Sequence, residues 1–327
     1  MSTFAFPSMP IKAKPNPDWS SLDPVQVKRG RLGDTRPSDP STPLRIFYEH
    51  PRGHLVTGDA IAWLNQLDAA SVDLIVADPP YNLQKAKWDR FATEEAYLTW
   101  SLEWIAAARR VLKETGSLYV CGFSETLADL KRPALRWFAD CRWLVWHYRN
   151  KANLGRDWGR SHESILHLRV TPAFRLRLDA VRVPYGRHTV KYPARTQART
   201  SCFGDGRSRA PWVPHPAGAK PRDVLEYPTT CNGMGERTPH PSQKPEGLIR
   251  HLILAASDEH DLVIDPFSGS GTTVVAAQQL NRRWIGCDRE PSYHAWAVRR
   301  LETLPNRSIA DWLDHDRRAA SHRDGIR

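Results

Sequence analysis

Asp261-Leu262-Val263-Ile264-Asp265-Pro266-Phe267-Ser268-Gly269-Ser270-Gly271-Thr272-Thr273 reads as a short apolar strand, a glycine loop and the entry to a helix whose pattern runs from Val274 to Leu280. Glycines at 269 and 271 permit a tight turn and close backbone approach to a ligand, and the helix N-terminus offers free N–H groups. Trp284-Ile285-Gly286-Cys287 follows as a second strand, with Asp288 at its end. An acidic residue about twenty positions past such a loop is placed to bind ribose hydroxyls. Two absences narrow the ligand. No Gly-Lys dipeptide follows the loop, and position 274, where a dinucleotide fingerprint has its third glycine, holds Val274. Both pyrophosphate readings weaken, which favours a nucleoside cofactor without one.

Far upstream, Val72-Asp73-Leu74-Ile75-Val76-Ala77 reads as a buried strand ending abruptly in Asp78-Pro79-Pro80-Tyr81. That turn can present a carboxylate, a rigid carbonyl and an aromatic face at one point. The set suits a flipped nucleobase with an exocyclic amine: the carboxylate and carbonyl accept the two N–H bonds, and the ring stacks on the base.

With both stretches in view, the chain resembles the S-adenosylmethionine-dependent amino-methyltransferases of DNA, the N6-adenine and N4-cytosine enzymes, in their circularly permuted β arrangement, where the catalytic half precedes the cofactor loop. Val56-Thr57-Gly58-Asp59 ahead of the catalytic strand, Asn150 to Asn153 through Arg160-Ser161-His162-Glu163, and Glu236 to Pro245 match the same pattern. The resemblance spans roughly residues 45–303. It implies an α/β, Rossmann-like methyltransferase fold: a mostly parallel sheet flanked by helices, circularly permuted, with an irregular DNA-recognition insertion. It also implies double-stranded DNA as partner, and it is compatible with a cognate restriction enzyme and a homodimer.

An aromatic amine is a poor nucleophile because its lone pair is delocalised into the ring. Accepting both amine hydrogens favours a tetrahedral nitrogen that can attack a sulfonium methyl in line. Asp78 is expected to accept one hydrogen bond and take the leaving proton, directly or through water. The Pro79 carbonyl accepts the other, Pro80 stiffens the turn, and Tyr81 stacks on the base. The resemblance further implies that Asp265 and the loop at Phe267, Gly269, Ser270, Gly271 and Thr272 surround the methionine portion of the cofactor. Asp288 would bind the ribose, Asp59 would meet the adenine amine, and Lys244 would lie near the pocket entrance. Gly-Asp before a helix is equally a turn and N-cap. Gly271→Asp is expected to set an anion against the cofactor.

The net charge of +11 is concentrated: between Arg169 and Arg222 stand twelve basic residues against two acidic ones. The rest of the chain is nearly balanced, so the excess marks a DNA-facing region, with Arg195, Arg199, Arg207 and Arg209 as leading phosphate contacts. The layout is read as a Pro-rich, extended or disordered arm at 1–44, with eight prolines, and a catalytic half at 45–169. The target-recognition insertion follows at 170–235, the cofactor half at 236–304 and a basic, frayed tail at 305–327. Within the catalytic half, helices are predicted at Ala60 to Leu67 and from an N-cap at Thr93 to about Leu112. A further helix is predicted over Pro245 to Ala256.

Five scattered cysteines without C-x-x-C spacing argue against a disulfide framework or zinc site and fit a reducing cytoplasm, in a prokaryotic or phage setting. No run of eighteen apolar residues suggests a membrane span. No second histidine stands four residues from His162, so His162-Glu163 is read as an ordering element near the base pocket and not as a metal site. Trp100, Trp104, Trp143, Trp146 and Trp284 sit in periodic segments and read as core, while Trp158, Trp212 and Tyr185 are the better stacking candidates. A C5-cytosine enzyme would need a cysteine nucleophile, commonly after proline, and no cysteine here follows one. An RNA amino-methyltransferase shares the same turn, but the large basic insertion favours duplex DNA. A catalytically idle DNA-binding protein is opposed by the intactness of both motifs.

Overall fold

The computed structural model describes residues 43–83, 89–150, 156, 158–193, 211–231 and 234–321. Its strands are β1 (Arg45–His50), β2 (Gly53–Thr57), β3 (Val72–Ala77), β4 (Leu112–Gly122), β5 (Asp140–His147), β6 (His162–Arg169), β7 (Val224–Glu226), β8 (Leu262–Asp265) and β9 (Arg283–Asp288). Its helices are α1 (Ala60–Gln66), α2 (Glu94–Val111), α3 (Ser124–Ala134), α4 (Arg187–Lys191), α5 (Glu246–Ala256), α6 (Thr272–Gln279), α7 (Pro291–Glu302) and α8 (Ile309–Ser321). All the strands join one sheet in the order β1-β2-β9-β8-β3-β4-β6-β5-β7. Pairings from β2 through β4 are parallel, and β5–β7 is parallel too. The β1–β2, β4–β6 and β6–β5 pairs run antiparallel.

β3 is buried over its whole length, as expected of a central parallel strand covered on both faces. Leu74 and Val76 enter a core with Tyr119, Leu248, Leu252 and Val274, while Ile75 and Ala77 enter the opposite core with Trp104, Ile105 and Leu118. The one polar residue inside the strand, Asp73, is satisfied by the Lys113 ammonium at 2.8 Å and the Leu262 N–H at 3.0 Å. On α2 the buried set Tyr97, Trp100, Trp104, Ala108 and Val111 recurs at helical spacing, and the Thr93 hydroxyl caps the helix by accepting the Ala96 N–H at 3.1 Å.

Chain order and sheet order differ in the way that matters for function. β8 and β9 come last in the sequence yet lie between β2 and β3, and Ile75 of β3 pairs with Ile264 of β8. The loops leaving these two strands therefore emerge side by side at the carboxyl edge of the parallel sheet, where open α/β folds bind ligands.

Two differences from the sequence reading concern the periphery. The stretch expected to fray after residue 305 contains α8 instead, and its Asp316 takes the Arg250 guanidinium at 2.5 and 2.8 Å while Trp312 lies under the same group. The signal was missed because charged residues interrupt the apolar face of α8, which Ile309, Trp312 and Leu313 supply; a buried arginine on another helix completes its seat. The irregular insertion also contributes β7 to the sheet edge beside β5. The Pro-rich arm lies outside the described residues apart from Pro43 and Leu44.

Arg250 is 3% exposed and bonded to Glu246, Gln279 and Asp316. Removing one partner of a buried ion pair leaves an uncompensated charge, so Asp316→Ala is expected to lower stability by about 3 kcal/mol. Urea unfolding read by tryptophan fluorescence measures this, and a change under about 1 kcal/mol would show α8 to be an ornament.

Candidate active site

Asp78 follows directly on β3. Its Oδ1 accepts the Tyr81 hydroxyl at 2.8 Å, and its carboxylate takes the Lys244 ammonium at 2.8 and 2.9 Å. The turn is braced from two sides. Asp89, buried, accepts the backbone N–H groups of Tyr81 at 2.8 Å and Leu83 at 3.0 Å, and the Tyr97 hydroxyl donates to the Pro80 carbonyl at 2.8 Å. The Tyr81 ring meets Phe123 edge-on at 5.1 Å, and the Arg160 guanidinium lies 3.7 Å over Phe123. Sequence reading found neither Asp89 nor the role of Tyr97. Asp89 stands in a stretch without period, and Tyr97 reads as core because its ring is core; only its polar tip reaches the turn.

Lys244 is not at an entrance. Its side chain is 6% exposed, with Asp78 on one side and Glu163 of β6 at 3.3 Å on the other, and it lies 5.0 Å over the Tyr81 ring. A lysine in a Pro-flanked loop is ordinarily solvated, and this one is drawn in because two carboxylates await it. Burial works to lower its pKa, but the charges of Asp78 and Glu163 outweigh that and hold it above the usual lysine range. Glu163 also accepts from the Tyr81 hydroxyl at 3.2 Å. Burial and the same two carboxylates push the Tyr81 phenol well above its ordinary value, so it stays protonated.

The neighbouring loop is held as tightly. Asp265 accepts the Phe267 N–H at 2.9 Å, Asp288 accepts the Gly269 N–H at 2.8 Å and the Glu290 N–H at 2.9 Å, and the Ser270 carbonyl takes the Arg300 guanidinium at 2.7 Å. Phe267 packs between Trp100 and Trp104 at 5.6 and 5.2 Å. The Thr272 hydroxyl donates to the Lys244 carbonyl at 3.2 Å, tying the loop to the catalytic side. Burial pushes the Asp265 carboxyl up to about 7, against hydrogen bonds from Thr273 and Phe267 that pull it down. The Ser268 hydroxyl is buried with no hydrogen-bond partner among the described residues. An orphan hydroxyl, a buried carboxyl and the first-turn N–H groups of α6 form a donor and acceptor set that fits a zwitterionic amino-acid group.

Protein neighbours surround several of the predicted positions. Gly269 and Gly271 have positive φ, 47° and 79°, as a tight turn demands, and the space a Cβ would take at each is filled by protein. A Cβ at 269 would come within 2.9 Å of His240, and one at 271 would strike Ala297 of α7. Asp59 caps α1 by accepting the Ile61 and Ala62 N–H groups at 3.0 and 2.9 Å, and its other oxygen pairs with Arg289. The cap uses one oxygen of Asp59 and the Arg289 pair the other.

The basic insertion is less free than its sequence suggests. Arg169 pairs with Asp140, Arg175 with Asp258 and Asp261, Arg177 with Asp258, and Arg182 with Asp179. Among the described residues Arg177 is exposed though paired, and Arg187, Lys191, Lys220 and Arg222 are exposed as well. Arg195, Arg199, Arg207 and Arg209 lie outside the described residues. Tyr185 and Trp212 pack on each other at 6.0 Å, and Trp158 is 93% exposed. No helix among the described residues is long and apolar enough to cross a membrane.

Comparison with known proteins addresses the family and the fold. The N6/N4 DNA methylase family model matches residues 72–299. DNA adenine methyltransferase YhdJ of Escherichia coli (strain K12) is 32% identical over 261 residues, which cover 79% of this chain and 85% of that protein. Among solved structures, the PvuII DNA methyltransferase (cytosine-N4-specific) matches with a TM-score of 0.60 at 18% identity, over 84% of this chain and 95% of its own. A DNA modification methylase of Thermus thermophilus, TTHA0409, complexed with S-adenosyl-L-methionine, matches with a TM-score of 0.52 at 22% identity, over 77% and 94%. These two likenesses concern the fold.

Because the space beside Gly271 is filled by Ala297, Gly271→Ala is expected to strain the loop and lower the melting temperature of the ligand-free protein, at a cost of about 1–3 kcal/mol. Differential scanning calorimetry decides. An unchanged melting temperature with lost ligand binding would return the glycine to a ligand-facing role.

Proposed function

The chain belongs to the N6/N4 DNA methylase family, and from the chemistry of its site we propose that it transfers a methyl group from S-adenosylmethionine to the N6 amine of adenine at specific sites in duplex DNA. The observation that carries the reading is the adjacency of two carboxyl-bearing loops at the edge of β3 and β8. One, with Asp78, offers acceptors for an amine, and the other, with Asp265 and the glycine turn, suits a cationic amino acid. Bound there, S-adenosylmethionine supplies a methyl group on an electrophilic sulfonium. Asp265, Ser268 and the backbone from Phe267 to Thr272 would hold its methionine end, and Asp288 its ribose.

On the base side, Asp78 and the Pro79 carbonyl accept the two amine hydrogens, and Tyr81 stacks on a base flipped from the duplex at a cost of a few kcal/mol. Lys244 holds the Asp78 carboxylate in place from one side, so the acceptor is oriented before the base arrives. Braced by Asp89 and Tyr97, the turn contributes positioning, which supplies much of the acceleration in a direct transfer. Adenine is favoured because the turn begins with Asp78, where N4-cytosine enzymes more often have serine, and because a relative at 32% identity is an adenine methyltransferase.

Mass spectrometry of nucleosides from DNA methylated by the purified protein tests this, with N6-methyladenine expected. Asp78→Ala is expected to cut transfer by about 10²-fold or more while retaining cofactor affinity. N4-methylcytosine without N6-methyladenine would overturn the base and leave the mechanism standing.

A cation beside Asp265 favours its ionised form. Below pH 7 the free protein holds this carboxyl protonated, so binding must release the proton. Cofactor affinity is expected to rise with pH by up to about tenfold per unit until near 7 and then level off, and Asp265→Asn should flatten the profile. Calorimetry at about pH 6 in buffers of different ionisation enthalpy counts the proton, and none released would remove Asp265 from the cofactor site.

For DNA, four of the eight described basic residues of the segment, Arg169, Arg175, Arg177 and Arg182, are occupied by internal pairs. If about 6 of the segment's other basic residues meet phosphates, the slope of log affinity against log salt is near −5. Replacing Arg187, Lys191, Lys220 and Arg222 by alanine is expected to flatten it, and an unaltered slope would move the DNA surface elsewhere.

A further inference from the structure

Methylation of a primary amine leaves its nitrogen with one proton in excess, and the site must remove it. Asp78 is the first acceptor in the proposed transfer, yet its two oxygens already serve the Tyr81 hydroxyl and the Lys244 ammonium. Beyond Tyr81 lies a second carboxylate. Glu163 of β6 is 12% exposed, and its Oε2 stands 3.2 Å from the Tyr81 hydroxyl and 3.3 Å from Lys244. One phenolic proton therefore faces two carboxylate oxygens, and the hydroxyl can donate to only one of them at a time.

We propose that Glu163 is the terminal proton acceptor of the methyl-transfer site, reached from Asp78 through the Tyr81 hydroxyl. The step rests on the amine-methylating reading, and its protons balance. The methylated nitrogen gives its extra proton to Asp78. The Asp78 carboxyl then donates to the Tyr81 oxygen while the Tyr81 O–H proton passes to Glu163 Oε2, so Tyr81 ends neutral, as it began. Asp78 recovers its negative charge and Glu163 becomes neutral until the product leaves and the proton passes to solvent. No oxidant or further reactant is needed.

Charge supports the direction. Two carboxylates share one ammonium, so the cluster carries one uncompensated negative charge and can hold one added proton. Among the described residues the other ionisable groups facing it are Cys121 on β4, a thiol that burial keeps protonated, Tyr97 on α2 and Tyr148 after β5, whose phenols burial raises, His240 in the loop before Lys244, whose imidazole burial lowers, Arg160 before β6, and Asp265 across the sheet edge. It is Asp78 and Glu163 that hydrogen-bond the Tyr81 hydroxyl. Glu163 does not touch the base in this scheme. It is a positioning and proton-accepting residue that acts through Tyr81, which explains why a glutamate should be held in a strand that is buried from Ser164 to Leu168.

The test compares Glu163→Gln, Glu163→Asp, Tyr81→Phe and the Tyr81→Phe/Glu163→Gln double variant in single-turnover methylation of duplex DNA, with cofactor and DNA affinities measured separately. Glu163→Gln is expected to slow the single-turnover rate by about 10²-fold with both affinities unchanged, a size typical of a lost proton acceptor. Glu163→Asp should recover part of that loss. Tyr81→Phe keeps the stacking ring and loses the hydroxyl, so its loss should match, and the double variant should be no slower than the slower single, because both cut one route. Losses that multiply in the double variant, or a wild-type rate in Glu163→Gln, overturn the relay. Should Glu163→Gln fail to fold, a wild-type rate in Tyr81→Phe overturns it alone. Wild-type product analysis separates the two levels: no methylated amine sinks the underlying reading, whereas a methylated amine with undiminished variants sinks only the relay.

Discussion

The pairing of β3 with β8 is the constraint on which the site depends. Two strands that sit at opposite ends of the sequence lie edge to edge, with Leu74 beside Val263 and Ile75 beside Ile264, and each ends in an Asp-Pro turn. The pairing brings two carboxyl groups, Asp78 and Asp265, into one neighbourhood where burial first, and the charge of Asp78 after it, disfavours ionisation of Asp265. The structure answers with one cation. Lys244 is committed to Asp78 and Glu163, so Asp265 is left to burial and keeps its proton near neutrality until a positive ligand comes. One carboxyl thus has an ammonium partner and the other has none among the described residues, a division set by where Lys244 is placed.

The position of that ammonium is fixed by α5. Lys244 stands just before this helix, whose first residues anchor a buried network: Glu246 binds the guanidinium groups of Arg250 and Arg300 at 3.0 and 2.9 Å, and Arg300 reaches the Ser270 carbonyl of the glycine loop. Buried ion pairs are weak evidence for stability because desolvating each partner costs several kcal/mol. Their consequence here is geometric. A shift of α5 that moved Lys244 away from Asp78 would also pull Glu246 from Arg300 and loosen the cofactor loop, so the two halves of the site keep their spacing together.

Some of this was legible in the sequence and some was not, for physical reasons. The run from Asp261 to Asp288 declares itself because a buried parallel strand needs a continuous apolar stretch and a turn with positive φ needs glycine; both are local demands. The neighbour that makes a glycine necessary is not local. The chain shows Gly271 but does not reveal that Ala297 fills the space beside it. Lys244 and α8 were misplaced for the same reason, since a charged residue reads as solvated until its distant partners are known, Glu163 in the one case and Arg250 in the other. Asp89 gave no signal at all, because bracing a turn requires only a carboxylate at the right place and no period.

Charge counting needs the same correction. The excess between Arg169 and Arg222 suggested a surface made for phosphates, but Arg175 and Arg177 are committed to Asp258 and Asp261 at the turn before β8, and the Arg177 backbone N–H donates to the Ala255 carbonyl near the end of α5 at 2.7 Å. These contacts fasten the segment at Arg175 and Arg177 to α5 and the turn before β8, whereas Arg187, Lys191, Lys220 and Arg222 remain exposed further along it. A basic segment can therefore divide its labour along the chain. Arginines near the sheet fix the segment through carboxylate pairs, and only those beyond them are free to release counterions on meeting a polyanion. Electrostatic affinity should then follow the exposed subset and not the formal charge of the segment, because a guanidinium already held by carboxylates must break those bonds before it can neutralise a phosphate.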